Sequence, residues 1–391
     1  VLDDYVTLVV TRDGTGAGTE IFVEEDGTFS RSLTAGTYSV IAVRPGYEDL
    51  VSPAAFTVAA DATTTYEPGL TALAPNTYIK SANCGVCHET RYDEFLRAGH
   101  TYKLNKVSGN AAPTYPFSDI SGSLALLDDD DQDIDGGLAD PRMGVDNIGS
   151  GEGTPNQWSE ITYVIGGYYW KNRFCGSDGW IVTGTSVQSN LPRTDSIAGP
   201  VGDTMVAYHN NEEKPYNCGN CHTTGWGHTD ALLNDNRQDG LDGMDGTFSQ
   251  GGVHCEACHG AGATHAQTMM AGDITRIATP RTTAQLLQAD QGVGRAVACG
   301  ECHTRDGEQD YPTYISSFNA ARTAAGQPTV AMGGRIKAKG GLSQHHEQYD
   351  DLLGIDPDDP NLASTRSPGF MATHGNCLTC HNPHTTTVYQ D

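Results

Sequence analysis

The chain has 391 residues, with 49 acidic against 23 basic side chains and a formal net charge of −26 at pH 7. That sign repels phosphate and excludes nucleic acid as a partner, and no run approaches the roughly eighteen apolar residues that a membrane span needs. A hydrophobic content of 37% beside 47 glycines is thin for the core of a chain this long, which ordinarily makes two or three domains.

Residues 1–72 read as β-structure. YVTLVV, EIFVEE, GTYSVIAVRPGY and AFTVAA are short β-rich runs, parted by DGTG, DGTF, AG and PG turn signals. Their order resembles the carboxypeptidase regulatory-like and transthyretin-like modules. The resemblance implies a small N-terminal β-sandwich with a spacer or adhesive role.

From residue 73 to 391 the texture changes to short helical pieces and irregular loops rich in Gly, Asp and Thr. One pattern, CxxCH, recurs five times: Cys84/Cys87/His88, Cys218/Cys221/His222, Cys255/Cys258/His259, Cys299/Cys302/His303 and Cys377/Cys380/His381. Ten of the eleven cysteines are used. A zinc ribbon has no need of a histidine after every second cysteine, and a thioredoxin-like dithiol sits in one βαβ unit. Covalent haem attachment needs this spacing: two thiols reach the two vinyl groups of one porphyrin, and the histidine beside them becomes the proximal iron ligand. The predicted fold is therefore a multihaem cytochrome c, mostly loops and short helices wrapped around five c-type haems whose apolar faces stand in for the missing core. Haem of this type is attached outside the cytoplasm, which places the chain in the periplasm or on the cell exterior. It starts at Val1 without Met, as a processed product would.

Residues 89–217 carry no such motif. They contain EITYVIGGYYWKNRF and GWIVTG, an aromatic hairpin-like pair expected over a haem edge, and Cys175, the odd cysteine, expected as a buried structural thiol. In DDDDQDIDGG, residues Asp131, Asp133 and Asp135 match the first half of a calcium loop, with Arg142 where the bidentate Glu belongs; Ca²⁺ is the second cofactor considered, on these three ligands. The loop at 234–246 reads as a solvated turn.

Each iron needs a sixth ligand or an open face. Nine histidines lie outside the motifs. The distal candidates are His100, His209, His254, His265, His345, His346, His374 and His384, among which His254, His265 and His384 adjoin a motif and are placed to reach a neighbouring haem.

YNCGNCHTTGW, GGVHCEACHGAGATHA, HGNCLTCHNPH and ITYVIGGYYWKNRF together resemble the multihaem cytochromes related to cytochrome c-554, and the surface cytochromes that polymerise into extracellular nanowires. The resemblance implies that His100 caps the third haem and His265 the first. It also implies assembly: copies of the chain joined head to tail in a filament, with one histidine donated across the interface, here to the Cys377 haem from a residue such as His209 or His100.

Electron transfer is the leading expectation, since two histidines saturate an iron and limit rearrangement between its oxidation states. Redox partner proteins or extracellular electron acceptors are the expected partners. The alternatives are a monomeric periplasmic shuttle, an adhesin carrying haems, and a nitrite- or hydroxylamine-converting enzyme. The enzyme needs one open distal face, and all five motifs here end in His with spare histidines at hand.

Overall fold

The computed structural model describes residues 6–24, 27–51, 56–67, 69–126, 155, 157–168, 171–191, 204–209, 214–229, 235–278, 293–303, 320, 323–324 and 382–385. Two compact units emerge, Val1–Tyr92 with Gly260–Arg276, and Asp93–His259 with Ile277–Asp391. The boundary expected after residue 72 falls inside the first unit.

In the first unit, β1 (Thr7–Arg12) pairs antiparallel with β2 (Gly18–Ile21) on one side and β3 (Gly36–Val43) on the other. Side chains alternate across a strand, so Leu8 and Val10 share a face with Ala42 and Val40, their register partners, and all four are buried. The far edge of β3 is shared by β4 (Leu50–Val51) and β5 (Phe56–Val58). Among the described residues of this unit the strands form one antiparallel sheet of five, and they do not include the second layer of the expected β-sandwich. The covered face is closed from loops by Phe29, Leu33, Tyr66 and Leu70.

Two short helices follow, α1 (Ser81–Cys87) and α2 (Glu89–Phe95). In the second unit, β6 (Leu104–Lys106), β7 (Tyr163–Gly166), β8 (Lys171–Cys175), β9 (Gly184–Asn190) and β10 (Thr204–Tyr208) form an antiparallel meander in sequence order. β7 and β8 pair within ITYVIGGYYWKNRF itself, whereas the expected hairpin joined that run to GWIVTG, which meets it through an isolated bridge between Ile181 and Cys175. Both faces of this sheet are covered. Val164 and Phe174 pack with Ile120, Trp158 and Val187 on one side, while Tyr163, Ile165 and Cys175 pack with Tyr216, Trp226 and Met244 on the other.

Beyond the sheet come α3 (Gly219–His222) and four two-residue strands, β11 (Thr223–Thr224), β12 (Gly227–His228), β13 (Gly246–Thr247) and β14 (Gln250–Gly251). β11 pairs with β14 and β12 with β13. Helices α4 (Cys255–His259), α5 (Ala263–Thr268) and α6 (Cys299–Cys302) complete the described elements used below, α5 lying in the first unit. Among the described residues no helix is long and apolar enough to cross a membrane.

Candidate haem-binding site

Each described CxxCH segment is one helical turn. The His88 N–H donates to the Cys84 carbonyl at 2.9 Å, and the His303 N–H to the Cys299 carbonyl at 2.8 Å. Positions i, i+3 and i+4 of a helix lie on one face, so this turn presents two sulfurs and an imidazole in one direction. No two of the nine described cysteines are joined in a disulfide.

The described imidazoles meet in three pairs. His88 faces His265 with ring centroids 6.1 Å apart and planes 8° apart, His259 faces His384 at 6.3 Å and 8°, and His100 faces His303 at 6.1 Å and 80°. An iron held between two imidazole nitrogens, with metal–nitrogen bonds of about 2.0 Å and about 1.2 Å from nitrogen to ring centre, sets the centroids about 6.4 Å apart. Each pair thus joins the histidine of one CxxCH turn to one from outside the motifs at a separation that fits an intervening iron. The resemblance set His100 against the third segment; in the structure it faces the fourth, and the third faces His384.

Ring protons sort the histidines further. His222 Nδ1 lies 3.2 Å from the Lys103 carbonyl, His265 Nδ1 2.9 Å from the Met270 carbonyl, and His384 Nδ1 3.2 Å from Asn382 Oδ1. These oxygens only accept, so Nδ1 carries the proton and the Nε2 lone pair is left for a metal. His254 has the opposite arrangement, Nε2 donating to the Gly251 carbonyl at 2.8 Å, with its ring against Phe95. In this geometry its Nε2 is not available to iron. His209 packs edge-on to Tyr208, and His228 holds Asp245 through Nε2 at 3.2 Å.

Burial keeps several of these rings neutral. His100 and His222 are lowered to about 4, chiefly by desolvation and then by the Lys103 ammonium; the Pro383 and Lys103 carbonyls pull them back upward. Burial also lowers Lys103 itself. Cys258 is pushed up to about 11 by burial and then by Cys255, and Cys218 is raised mainly by burial. The buried thiol Cys175, as the sequence led one to expect, packs beside Tyr163 and Trp226.

The segments of the second unit are stitched together. Gly252 N–H donates to the His222 carbonyl and Val253 N–H to the His100 carbonyl, both at 2.9 Å. Val297 N–H donates to the Ala257 carbonyl at 2.7 Å, and Cys302 Sγ lies 3.5 Å from the Asn220 carbonyl oxygen. The second, third and fourth segments are thus neighbours. Sequence reasoning missed the Nδ1 acceptors. Asn382, two residues from His384, was within reach of a local reading; the Lys103 carbonyl, far from His222 in the chain, gave no signal.

Cys377, Cys380, His381, His345, His346 and His374 lie outside the described residues, as do Asp131, Asp133 and Asp135. In the loop at 234–246, Asp239 accepts from Lys106 Nζ at 2.7 Å and from the Tyr163 hydroxyl at 2.5 Å.

Residues 201–260 match the family described as cytochrome c554 and c-prime. Among solved structures, the undecahaem cytochrome from the S-layer of Carboxydothermus ferrireducens is similar at 17% identity and a TM-score of 0.31, over 72% of this chain and 47% of that one. The outer cell wall cytochrome OcwA is similar at 15% identity and a TM-score of 0.31, over 78% of this chain and 67% of that one. The chain spans about half the length of the undecahaem protein. No curated protein matches. The family match falls on the second and third of the five repeated segments, so in residues 201–260 the family and the CxxCH repetition agree.

Proposed function

We propose that this chain is an electron carrier holding five covalently attached c-type haems, working outside the cytoplasm and performing no chemistry on a substrate. One observation carries the reading: three CxxCH histidines each face a second imidazole at 6.1 to 6.3 Å. Haem c supplies the one-electron couple. The chain's own part is to hold it. His88, His259 and His303 take the proximal side and His265, His384 and His100 the distal side, so a small molecule finds no free coordination position at these three sites. The Nδ1 hydrogen bonds fix the ring orientations and leave little to rearrange when charge arrives. Contacts among the second, third and fourth segments keep those three sites adjacent, as stepwise transfer requires. For the second and fifth segments, His222 and His381 are the proximal ligands, and the distal ligands are drawn from the remaining candidates.

Intact mass after acid–acetone extraction tests the attachment. Five haem masses above the bare chain are expected, and a mass equal to the bare chain would end the proposal. Low-temperature electron paramagnetic resonance of the oxidised protein separates carrier from enzyme. A carrier is low-spin throughout, whereas a high-spin signal of about one haem in five marks an open distal face.

A finer form of this reading is an extracellular filament in which copies repeat head to tail and one axial histidine comes from the neighbouring copy. What supports it is the resemblance to polymerising cytochromes and the property of a heterologous contact, which extends a row of sites without limit when its rotation does not close. Reduced proteins or external oxidants then stand at its ends as donor and acceptor.

A further inference from the structure

The N-terminal sheet reads as a spacer, yet the turn after its third strand and the segment that follows the sheet are packed against α5, which carries His265. Both belong to the first compact unit. The PGY turn after β3 places Gly46 at φ +86°, with its α-carbon so close to α5 that an added Cβ would stand 2.9 Å from the Ala263 carbonyl oxygen and 3.0 Å from the Ala266 methyl. Gln267, on α5, donates through Nε2 to two backbone carbonyls at once, Gly46 and Leu73, each at 2.8 Å. The chain leading into α1 grips the other end of α5: Ala263 N–H reaches the Thr77 carbonyl at 3.3 Å and Thr264 Oγ1 the Pro75 carbonyl at 3.3 Å. Between these two grips sits His265, facing His88.

From these contacts we infer that the N-terminal sheet is a clamp on the first haem's axial ligation, with Gly46 and Gln267 as positioning residues that hold His265 opposite His88. The inference rests on the reading of His88 and His265 as an iron-ligand pair. Six residues of α5 make a helix too short to be stable alone, so its place must come from what it packs on. The Gly46 site accepts only a residue without a Cβ, both for the backbone angle and for the approach of α5. Gln267 satisfies both amide hydrogens on carbonyls, and an isosteric carboxylate would face the same two oxygens with no proton to give.

Carbon monoxide supplies the test, because it binds a reduced haem only where an axial histidine has let go. The full haem-loaded protein, His265→Ala, Gln267→Glu and Gly46→Ala are reduced and mixed with carbon monoxide, and uptake is followed optically while far-ultraviolet circular dichroism reports the sheet. His265→Ala should take up about one carbon monoxide per five haems. Gln267→Glu, with the sheet still folded, should bind it at that same haem about tenfold faster than the parent, as expected for losing two hydrogen bonds worth about 1.4 kcal/mol together. If Gly46→Ala fails to fold, Gln267→Glu decides alone. Should Gln267→Glu behave as the parent while His265→Ala binds, the clamp is refuted and the ligand pair stands. Should His265→Ala take up none, the ligand pair itself is refuted, and the clamp with it.

Discussion

The ring proton of His222, His265 and His384 sits on Nδ1 because each faces an oxygen that can only accept. Burial acts in the same sense on His100 and His222, lowering both to about 4 from an ordinary 6.5. The sign of the resulting pH dependence follows directly. A folded value below the unfolded one means that the unfolded chain takes the proton first, so the stability these residues confer is complete above about pH 6.5 and lost as pH falls toward 4. Urea unfolding of the haem-loaded protein should show a midpoint that declines on acidification, since protons compete with iron for the same nitrogens. A midpoint that rises on acidification would contradict this. Cys175 gives a second residue-scale expectation. Its thiol is fully buried and raised well above its ordinary value, first by burial and then by Cys218, so little thiolate forms and no reagent reaches it. In the native holoprotein a thiol reagent should label no cysteine within the time that labels one in urea. Rapid native labelling at position 175 would show the β8 end to be open.

At the scale of elements, the haem-attachment turns depend on what packs against them. Trp226 lies against α3 so closely that a Cβ on Gly219 would stand 1.9 Å from the indole Cε3. Gly219→Ala must therefore push Trp226 out of its cluster with Tyr163, Tyr216 and Met244 or distort the turn carrying Cys221 and His222. Overpacking of this kind costs about 1–3 kcal/mol, and the expected result is a lower denaturation midpoint with a fall in haem content per chain, measured by pyridine haemochrome. A variant with parent stability and full haem content would show that the turn tolerates the shift. The angle between paired rings also differs by element. His100 and His303 stand 80° apart in plane, while the other two pairs lie within 8° of parallel. Crossed imidazoles leave two iron orbitals nearly equal in energy, so one haem should give a low-spin resonance at distinctly higher g than the other two pairs. His100→Met should remove that resonance alone, and its persistence in the variant would place the crossed pair elsewhere.

For the molecule as a whole, the proposed function has two forms: a monomer would carry electrons across its own haems, while a filament would repeat that path from copy to copy. Electron microscopy of native material distinguishes the two: filaments are expected under the finer proposal, and discrete particles with every haem six-coordinate within one chain would leave the monomeric shuttle. What the sequence showed by itself is the repeated segment. The CxxCH turn is local, its two cysteines and histidine lying within five consecutive residues, and so the number and spacing of these segments were legible before any fold was known. The alternating runs of β1 and β3 were legible for the same reason, since strand periodicity is local. Only the tertiary structure decided that the N-terminal strands form one described sheet, that His100 faces His303 and His384 faces His259, and that His254 points its Nε2 at a carbonyl. Those outcomes depend on which distant segments share a volume. A histidine in sequence shows neither the direction of its ring nor the oxygen that will hold its proton, and both are set by packing between residues far apart along the chain.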